Sequence, residues 1–280
     1  MIDPTQMSRY ARDLPPLDTT VAQLVDLVFQ DGAELDEVVD LVRHDGHLVV
    51  QLLRLANSPA YGRGEHISSV RTAVVRVGFG QVAMLALTAE LSPRLRVGLA
   101  PYGLDEGELW RHSVAAALAA GAMVEQAPDE DGCLVFAAAL LHDVGKALLA
   151  LHMDERQRRT LAVALQDGDT PCHEAERRVL GTDHAAVGAS VAEAWGLPEA
   201  LVEAIGAHHV PGEGADALVR LVHTADLVAR ALGIGSGTAG RDIEGVLESA
   251  GQLAVSHAAF AEVCDHTEQR LPELETVYGA

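Results

Sequence analysis

Lysine is almost absent from this chain: Lys146 is the one lysine among 20 basic residues. Against those 20 stand 41 Asp and Glu, for a formal net charge of -21. A surface so poor in positive charge lacks what phosphate neutralisation needs, which disfavours nonspecific nucleic-acid binding and adhesion to an anionic membrane. Cysteine is scarce too. Cys133, Cys172 and Cys264 are odd in number and form no CxxC pair, so neither a disulfide framework nor a thiolate zinc site is expected. The stretch Met1–Ser8 has no basic patch leading into an apolar run, and so does not read as a secretory signal. The longest apolar run, around Leu134 to Leu141, falls well short of the roughly 18 residues a spanning helix needs. A soluble, cytoplasmic protein is the expectation. Strand alternation bounded by hairpin signals is missing, as are repeats and low-complexity tracts.

What is present is helical. Aromatic residues make up only 4% of the 280 residues while hydrophobic residues reach 49%, so the core must be built from Ala, Val and Leu. Apolar residues recur at helical spacing at Val21, Leu24, Val25 and Val28, then Leu35, Val38, Val39 and Val42, then Leu48, Val49, Leu52 and Leu53. Asp18 or Thr19, Glu34 and Asp45 supply starts for these helices, and Asn57-Ser58-Pro59 stops the third. A further helical stretch runs from Ser68 or Ser69 to Leu91, interrupted at Gly78 and Gly80. The segment from Arg94 to Glu108 is glycine-rich and poorly periodic, and marks a lobe boundary. Beyond it the pattern predicts helices over 108–126, 132–151, 154–166, 172–180, 183–195, 198–209 and 215–232, with two weaker ones within 241–275. The fold class is all-α. Residues 1–13 read as a tail, 14–105 as a first helical lobe and 106–280 as a second.

Thirteen histidines offer possible chemistry, and the sharpest context is Leu140-Leu141-His142-Asp143-Val144-Gly145-Lys146. Neighbours on a helix lie about 100° apart, so His142 and Asp143 can share a centre only with partners from other helices. The candidate partners are His112, His184, His208, His209 and Asp226. Such an imidazole and carboxylate set suits Mn, Fe, Zn, Ni or Co better than Ca. Each residue alone has a plainer reading: His112 on a helix surface, His184 in a first turn, His142 as a buried histidine satisfied by a carboxylate. Grouped in an apolar core without an ion, they would leave desolvated charges costing on the order of several kcal/mol each. Lys146 lies one helical turn past His142 and Asp143, placed to offer a point charge to phosphate or simply to end a helix. Glu108, four before His112, is either an extra ligand or a first-turn acid. His223, three before Asp226, is a candidate supporting partner. His44, His47, His66, His152, His173, His257 and His266 have no ligand-like company, and Trp195 reads as packing a helix end.

Several of these motifs, in order, resemble one family. Leu14-Pro15-Pro16-Leu17, the stretch Leu52 to Gly62 and Ser69 to Gly78 look like the first half of HDOD domains, the HD-related output domains of bacterial signalling proteins. Trp110-Arg111-His112-Ser113, His142 to Lys146, Asp183 to Gly188, Trp195 to Pro198 and His208-His209 look like its second half. The resemblance implies a two-lobed helical HDOD fold whose second lobe is similar to HD-superfamily metal phosphohydrolases. In the related HD-GYP phosphodiesterases, which open cyclic di-GMP, the metal ligands match His112, His142, Asp143, His184, His208, His209 and Asp226, and a lysine matches Lys146. The chain departs from that pattern after His209, where Val210-Pro211-Gly212-Glu213-Gly214 replaces any Gly-Tyr-Pro.

Two functions follow from this resemblance. The first is a regulatory protein of bacterial signal transduction that works through contacts with other signalling proteins, its second lobe holding one or two divalent transition-metal ions, a nucleotide or a cyclic dinucleotide. The alternative is a metal-dependent phosphohydrolase. There the ions lower the pKa of bound water, Asp143 acts at the centre and Lys146 steadies phosphoryl oxygens.

Overall fold

The computed structural model describes residues 15–29, 33–58, 61–62, 64–124, 131–166, 170–212, 214–235, 237 and 256–278. Among these residues the chain is helical, with one isolated bridge between Leu99 and Leu104 and no strand. It divides into two compact units, one containing Leu17–Pro93 and the other Arg94–Pro272.

The first unit contains α1 (Thr19–Phe29), α2 (Leu35–Arg43), α3 (Gly46–Ala56), α4 (Val70–Val77) and most of α5 (Phe79–Leu95). Its core is the set of apolar stripes legible in the sequence: Leu24, Val38, Val42, Leu52 and Val74 are fully buried. Asp45 begins α3 by accepting from the main-chain N–H groups of His47 and Leu48 at 2.9 and 3.1 Å, two donors that a helix start otherwise leaves unpaired. Asn57 ends it. The Asn57 amide donates to the carbonyls of Leu53 and Ile67 at 2.7 and 2.8 Å, and its oxygen accepts from Ile67 N–H at 2.8 Å. At Gly78, with φ +90°, α4 and α5 meet at a bend of 104°. That backbone region is open to glycine and strained for other residues.

The second unit contains α6 (Glu108–Val124), α7 (Gly132–Leu141), α8 (Val144–His152), α9 (Glu155–Gln166), α10 (Cys172–Leu180), α11 (His184–Ala194), α12 (Glu199–Ala207) and α13 (Ala217–Ala231). A last helix, α14 (His257–Tyr278), follows. The division at Pro93–Arg94 lies earlier than the 105–106 junction expected from composition, because the intervening segment folds onto the second unit. Gly107 N–H donates to Arg96 O at 2.9 Å, Leu99 N–H to Leu104 O at 2.8 Å, and the Tyr102 hydroxyl to Glu176 of α10 at 2.7 Å. Of the two tail helices expected within 241–275, α14 covers one, and 238–255 lie outside the described residues.

Two expectations about 132–152 are corrected. The apolar pattern predicts one helix there, but the chain breaks at His142-Asp143 into α7 and α8. Contrary to the reading that no apolar segment approaches membrane length, Gly132–His152 is 21 residues long and apolar enough to cross a bilayer, with 72% of its most apolar window buried inside the fold. Its apolarity serves the core: Val135, Leu140, Leu141 and Leu148 are all 1% exposed or less.

Candidate metal centre

Helix ends bring the candidate residues together. His142 caps the C-terminus of α7, Asp143 is the residue before α8, His184 opens α11 behind its N-cap Asp183, and His208 caps the C-terminus of α12. His112 and Asp226 come from the middle of α6 and α13, which pack on each other and on α7. The break at Asp143 resolves the 100° problem: with φ -102° and ψ 5° the chain leaves the helical path, and both adjacent side chains reach one centre. Close packing of α8 against α11 does the rest. A Cβ on Gly145 would lie 2.0 Å from the His184 carbonyl oxygen, so only glycine lets the two backbones approach this far.

The first group is formed by His112 Nε2, His142 Nε2, Asp143 Oδ2 and Asp226 Oδ1. His112 Nε2 lies 3.2 Å from His142 Nε2, 3.1 Å from Asp226 Oδ1 and 3.4 Å from Asp143 Oδ2; His142 Nε2 lies 3.4 Å from Asp143 Oδ2 and 3.7 Å from Asp226 Oδ1. Donors placed tetrahedrally at about 2.1 Å from one point are separated by about 3.4 Å, and these five spacings are of that size. The second group is His184, His208 and His209, whose ligand nitrogens lie within 4.8 Å of one another. Asp143 joins the groups: its Oδ1 sits 3.1 Å from His184 Nε2, without the geometry of a hydrogen bond.

Ring orientation is set from outside the cluster. Nδ1 of His112 faces Ile234 O at 2.9 Å, Nδ1 of His142 faces Ala139 O at 2.7 Å, and Nδ1 of His208 faces Ile205 O at 2.7 Å. A carbonyl only accepts, so each Nδ1 must carry the proton and each Nε2 is the atom presented inward. His208 Nε2 is buried with no hydrogen-bond partner. An orphaned acceptor in a fully buried side chain is costly and is what a bound cation satisfies. Five imidazoles with two carboxylates are donors of the type chosen by Mn, Fe, Co, Ni and Zn, so the residues present fit such an ion.

Electrostatics without the metal show how the charges balance. Burial alone would lower the basicity of His142, but Asp143 and then Asp226 overcome it and hold its pKa up at about 9. His184 is likewise raised despite burial, chiefly by Glu176. Burial would raise Asp143 and Asp226, yet Lys146 and His142 keep Asp143 ionised, and hydrogen bonds to His112 and His142 keep Asp226 so. His208 and His209 are pushed down by burial and then by neighbouring histidines, and stay neutral. A metal must therefore displace the proton on His142 Nε2 at any pH below about 9. Apparent affinity of the first group is expected to climb with pH up to that point, by as much as ~10-fold per unit for the proton released, and to flatten above it. Competition titrations with a chromophoric chelator at a series of pH values check this; an affinity independent of pH would show that His142 is not displaced.

The structure gathers His112, His142, Asp143, His184, His208, His209 and Asp226, all seven residues named from the sequence. Lys146 Nζ lies 2.6 Å from Asp143 Oδ2 with its side chain 14% exposed, so its first partner is that carboxylate. Glu108 is not brought in. Its carboxylate accepts from Asp105 N–H at 2.6 Å, the first-turn role, which corrects its candidacy as a ligand. His223 Nδ1 meets His208 O at 2.5 Å and so supports the cluster through the main chain. His173, which shows no ligand-like company in the sequence, stacks on His209 with ring centroids 4.3 Å apart. Sequence reasoning misses Glu176. It is fully buried, and its Oε2 meets His184 Nδ1 at 2.5 Å. The available signal is a glutamate on the buried stripe of α10, beside Ala175 and one turn before Leu180.

The family model for the HDOD domain matches residues 14–211. A curated protein from Treponema pallidum (strain Nichols), described as uncharacterized, is 24% identical over 200 residues, covering 70% of this chain and 38% of its own length. The chain thus spans well under half of that relative. Among solved structures, an HDOD domain protein with unknown function from Geobacter sulfurreducens is 25% identical with a TM-score of 0.73, covering 99% of this chain and 98% of its own. A protein from Shewanella amazonensis SB2B described as a "putative phosphohydrolase" shares the fold, at 22% identity and a TM-score of 0.67, over 95% of this chain and 100% of its own.

Proposed function

This chain belongs to the HDOD family, and on that premise we propose that it is a regulatory protein of bacterial signal transduction, acting through contacts with other signalling proteins, whose second unit holds divalent transition-metal ions as a structural or sensory element. The observation that carries the metal part is the inward presentation of Nε2 by His112, His142 and His208 around two carboxylates, with His208 Nε2 left unpaired. His112, His142, Asp143 and Asp226 would hold one ion; Asp143, His184, His208 and His209 would hold a second. When bound, such ions supply fixed positive charge and Lewis acidity. Asp143 lies between the two groups, Lys146 holds it from the α8 side, and Arg230 approaches Asp226 Oδ2 at 3.8 Å. Most of the cluster is enclosed: the side chains of His112, His142, Asp143, His184 and Asp226 are each 5% exposed or less, and His209 is half-buried. Enclosure of that degree suits a structural or sensing centre better than one that turns over a polyanion, which would also have to approach a chain of net charge -21.

The second reading, a metal-dependent phosphohydrolase, is favoured by Lys146 beside Asp143. In it Lys146 would leave the carboxylate to meet a phosphoryl oxygen. The missing Gly-Tyr-Pro after His209 argues against cyclic di-GMP as its substrate.

Elemental analysis of untagged protein prepared without chelator, beside the His142→Ala/Asp143→Ala double variant, tests the proposal. One or two equivalents of a transition metal in the wild type, lost in the variant, are expected. Absence of metal in the wild type even after Mn or Fe is supplied overturns the metal part. Cyclic dinucleotides and generic phosphodiesters should remain intact with Mn, Fe, Ni or Co added; turnover abolished in the double variant would bring the phosphohydrolase reading forward.

A further inference from the structure

His184 differs from the neighbouring ligands in what stands behind it. His112, His142 and His208 rest their Nδ1 on main-chain carbonyls of Ile234, Ala139 and Ile205, which no side-chain substitution removes. His184 rests on a side chain. Glu176 Oε2 accepts from His184 Nδ1 at 2.5 Å and from His184 main-chain N–H at 2.8 Å, gripping ring and backbone of the same residue. The other oxygen, Oε1, accepts the Tyr102 hydroxyl at 2.7 Å, and the Cys172 thiol points at it from 3.8 Å. Glu176 and His184 have no solvent exposure, and Tyr102 has 4%. A carboxylate behind a ligating imidazole fixes the ring and strengthens its donor nitrogen more than a neutral carbonyl does.

Building on the two-ion reading above, we infer that Glu176, held by Tyr102, is a positioning residue for the second metal position alone, so that the two positions can be separated by a single substitution. The first position draws on His112, His142, Asp143 and Asp226, and none of these four contacts Glu176 in the hydrogen bonds and ion pairs described. The second depends on His184. Tyr102 belongs to the 3-10 turn Ala100–Tyr102, within the segment that follows the unit division at Pro93–Arg94. The occupancy of one metal position, and not the other, is thereby tied to the conformation of that segment.

Glu176→Gln is the direct test, because the amide keeps the shape of the carboxylate and still offers an oxygen to His184 and a group to Tyr102. The full chain is stripped of metal and titrated with Mn(II), with binding followed by calorimetry and by electron paramagnetic resonance. Wild-type protein is expected to take up two ions and, when full, to show the spectrum of an exchange-coupled pair. Glu176→Gln is expected to keep the first affinity and weaken the second by roughly 10- to 100-fold, leaving the six-line spectrum of an isolated ion. Tyr102→Phe should shift the second affinity in the same direction by less, and Glu176→Asp should restore part of it. A Glu176→Gln protein with both affinities intact, or with both lowered alike, overturns the inference while leaving the two-ion reading standing. A wild-type protein that binds one ion overturns the inference and its two-ion premise, and one that binds none overturns the metal reading beneath them as well. Helical circular dichroism of each variant, equal to the wild type, certifies that the comparison is made between folded proteins.

Discussion

Asp143→Asn is expected to lose both metal equivalents and to destabilise the metal-free protein by about 3–5 kcal/mol, the range for removing one partner from a buried charge network. The side chain is 1% exposed and its two oxygens face different ways. Oδ2 lies 2.6 Å from Lys146 Nζ and 3.4 Å from Nε2 of both His112 and His142, while Oδ1 lies 3.1 Å from His184 Nε2. Asparagine matches the volume but brings no charge, and one of its ends donates. The Lys146 ammonium and the protonated His142 would then sit in the core with their nearest anion gone. Because the folded pKa of His142 is raised to about 9, the stability it contributes is present in full below its ordinary value near 6.5 and is lost as pH rises through about 9. The variant should therefore fall furthest behind the wild type between neutrality and the acid side, and the gap should narrow in alkali. Urea unfolding in chelator at several pH values, with metal analysis of the same samples, measures both effects. A loss below about 1 kcal/mol with metal retained would show that Asp143 neither bridges the groups nor neutralises them.

Gly145→Ala is expected to cost about 3 kcal/mol or more, at the top of the range for overpacking a core. The added methyl would fall 2.0 Å from His184 O, 2.8 Å from His184 C and 2.9 Å from Gly188 N. All three are main-chain atoms, so no side-chain rotation relieves the contact. The helices α8 and α11 must part by an amount on the order of 1 Å before the contact becomes ordinary. Such a shift carries His184 away from Asp143, and metal uptake should drop with stability. Gly121→Ala is the control: it lies in α6, where an added methyl would meet nothing within 4 Å, and should be neutral or slightly stabilising. Chemical denaturation of both variants decides the matter, and a Gly145→Ala protein as stable as Gly121→Ala would mean that the helices are not locked at this distance.

Features governed by neighbours in sequence are legible without the structure. Asp45 caps α3 as its position suggests, Gly196 stands at φ +72° after α11, and Asp183 caps α11 one residue before His184. Ligand identity is also legible, because histidines and aspartates in a chain of Ala, Val and Leu stand out by type. What escapes is set by through-space partners. Glu176 on an amphipathic helix reads as a solvated acid unless one knows that Tyr102 and His184 close over it. Gly145 reads as a helix weakener until the His184 carbonyl is placed against it. The break between α7 and α8 lies inside an unbroken apolar pattern, and only the convergence of His142 and Asp143 on other helices explains it. Glu108 shows the opposite case, where a plausible helical spacing to His112 is outweighed by a local bond to Asp105 N–H.

Lys146 has a practical meaning beyond its ion pair. With one lysine in 280 residues, the chain carries a single side-chain amine, and that amine is 14% exposed and held against Asp143. Reagents that acylate amines, which on most proteins decorate the whole surface, have one internal address here. Protonated and paired, Lys146 is a poor nucleophile; freed from Asp143, it becomes a reactive one. The rate at which an activated ester modifies this position is therefore a clock for how often the core of the cluster opens, readable by mass spectrometry from one peptide without any engineered label.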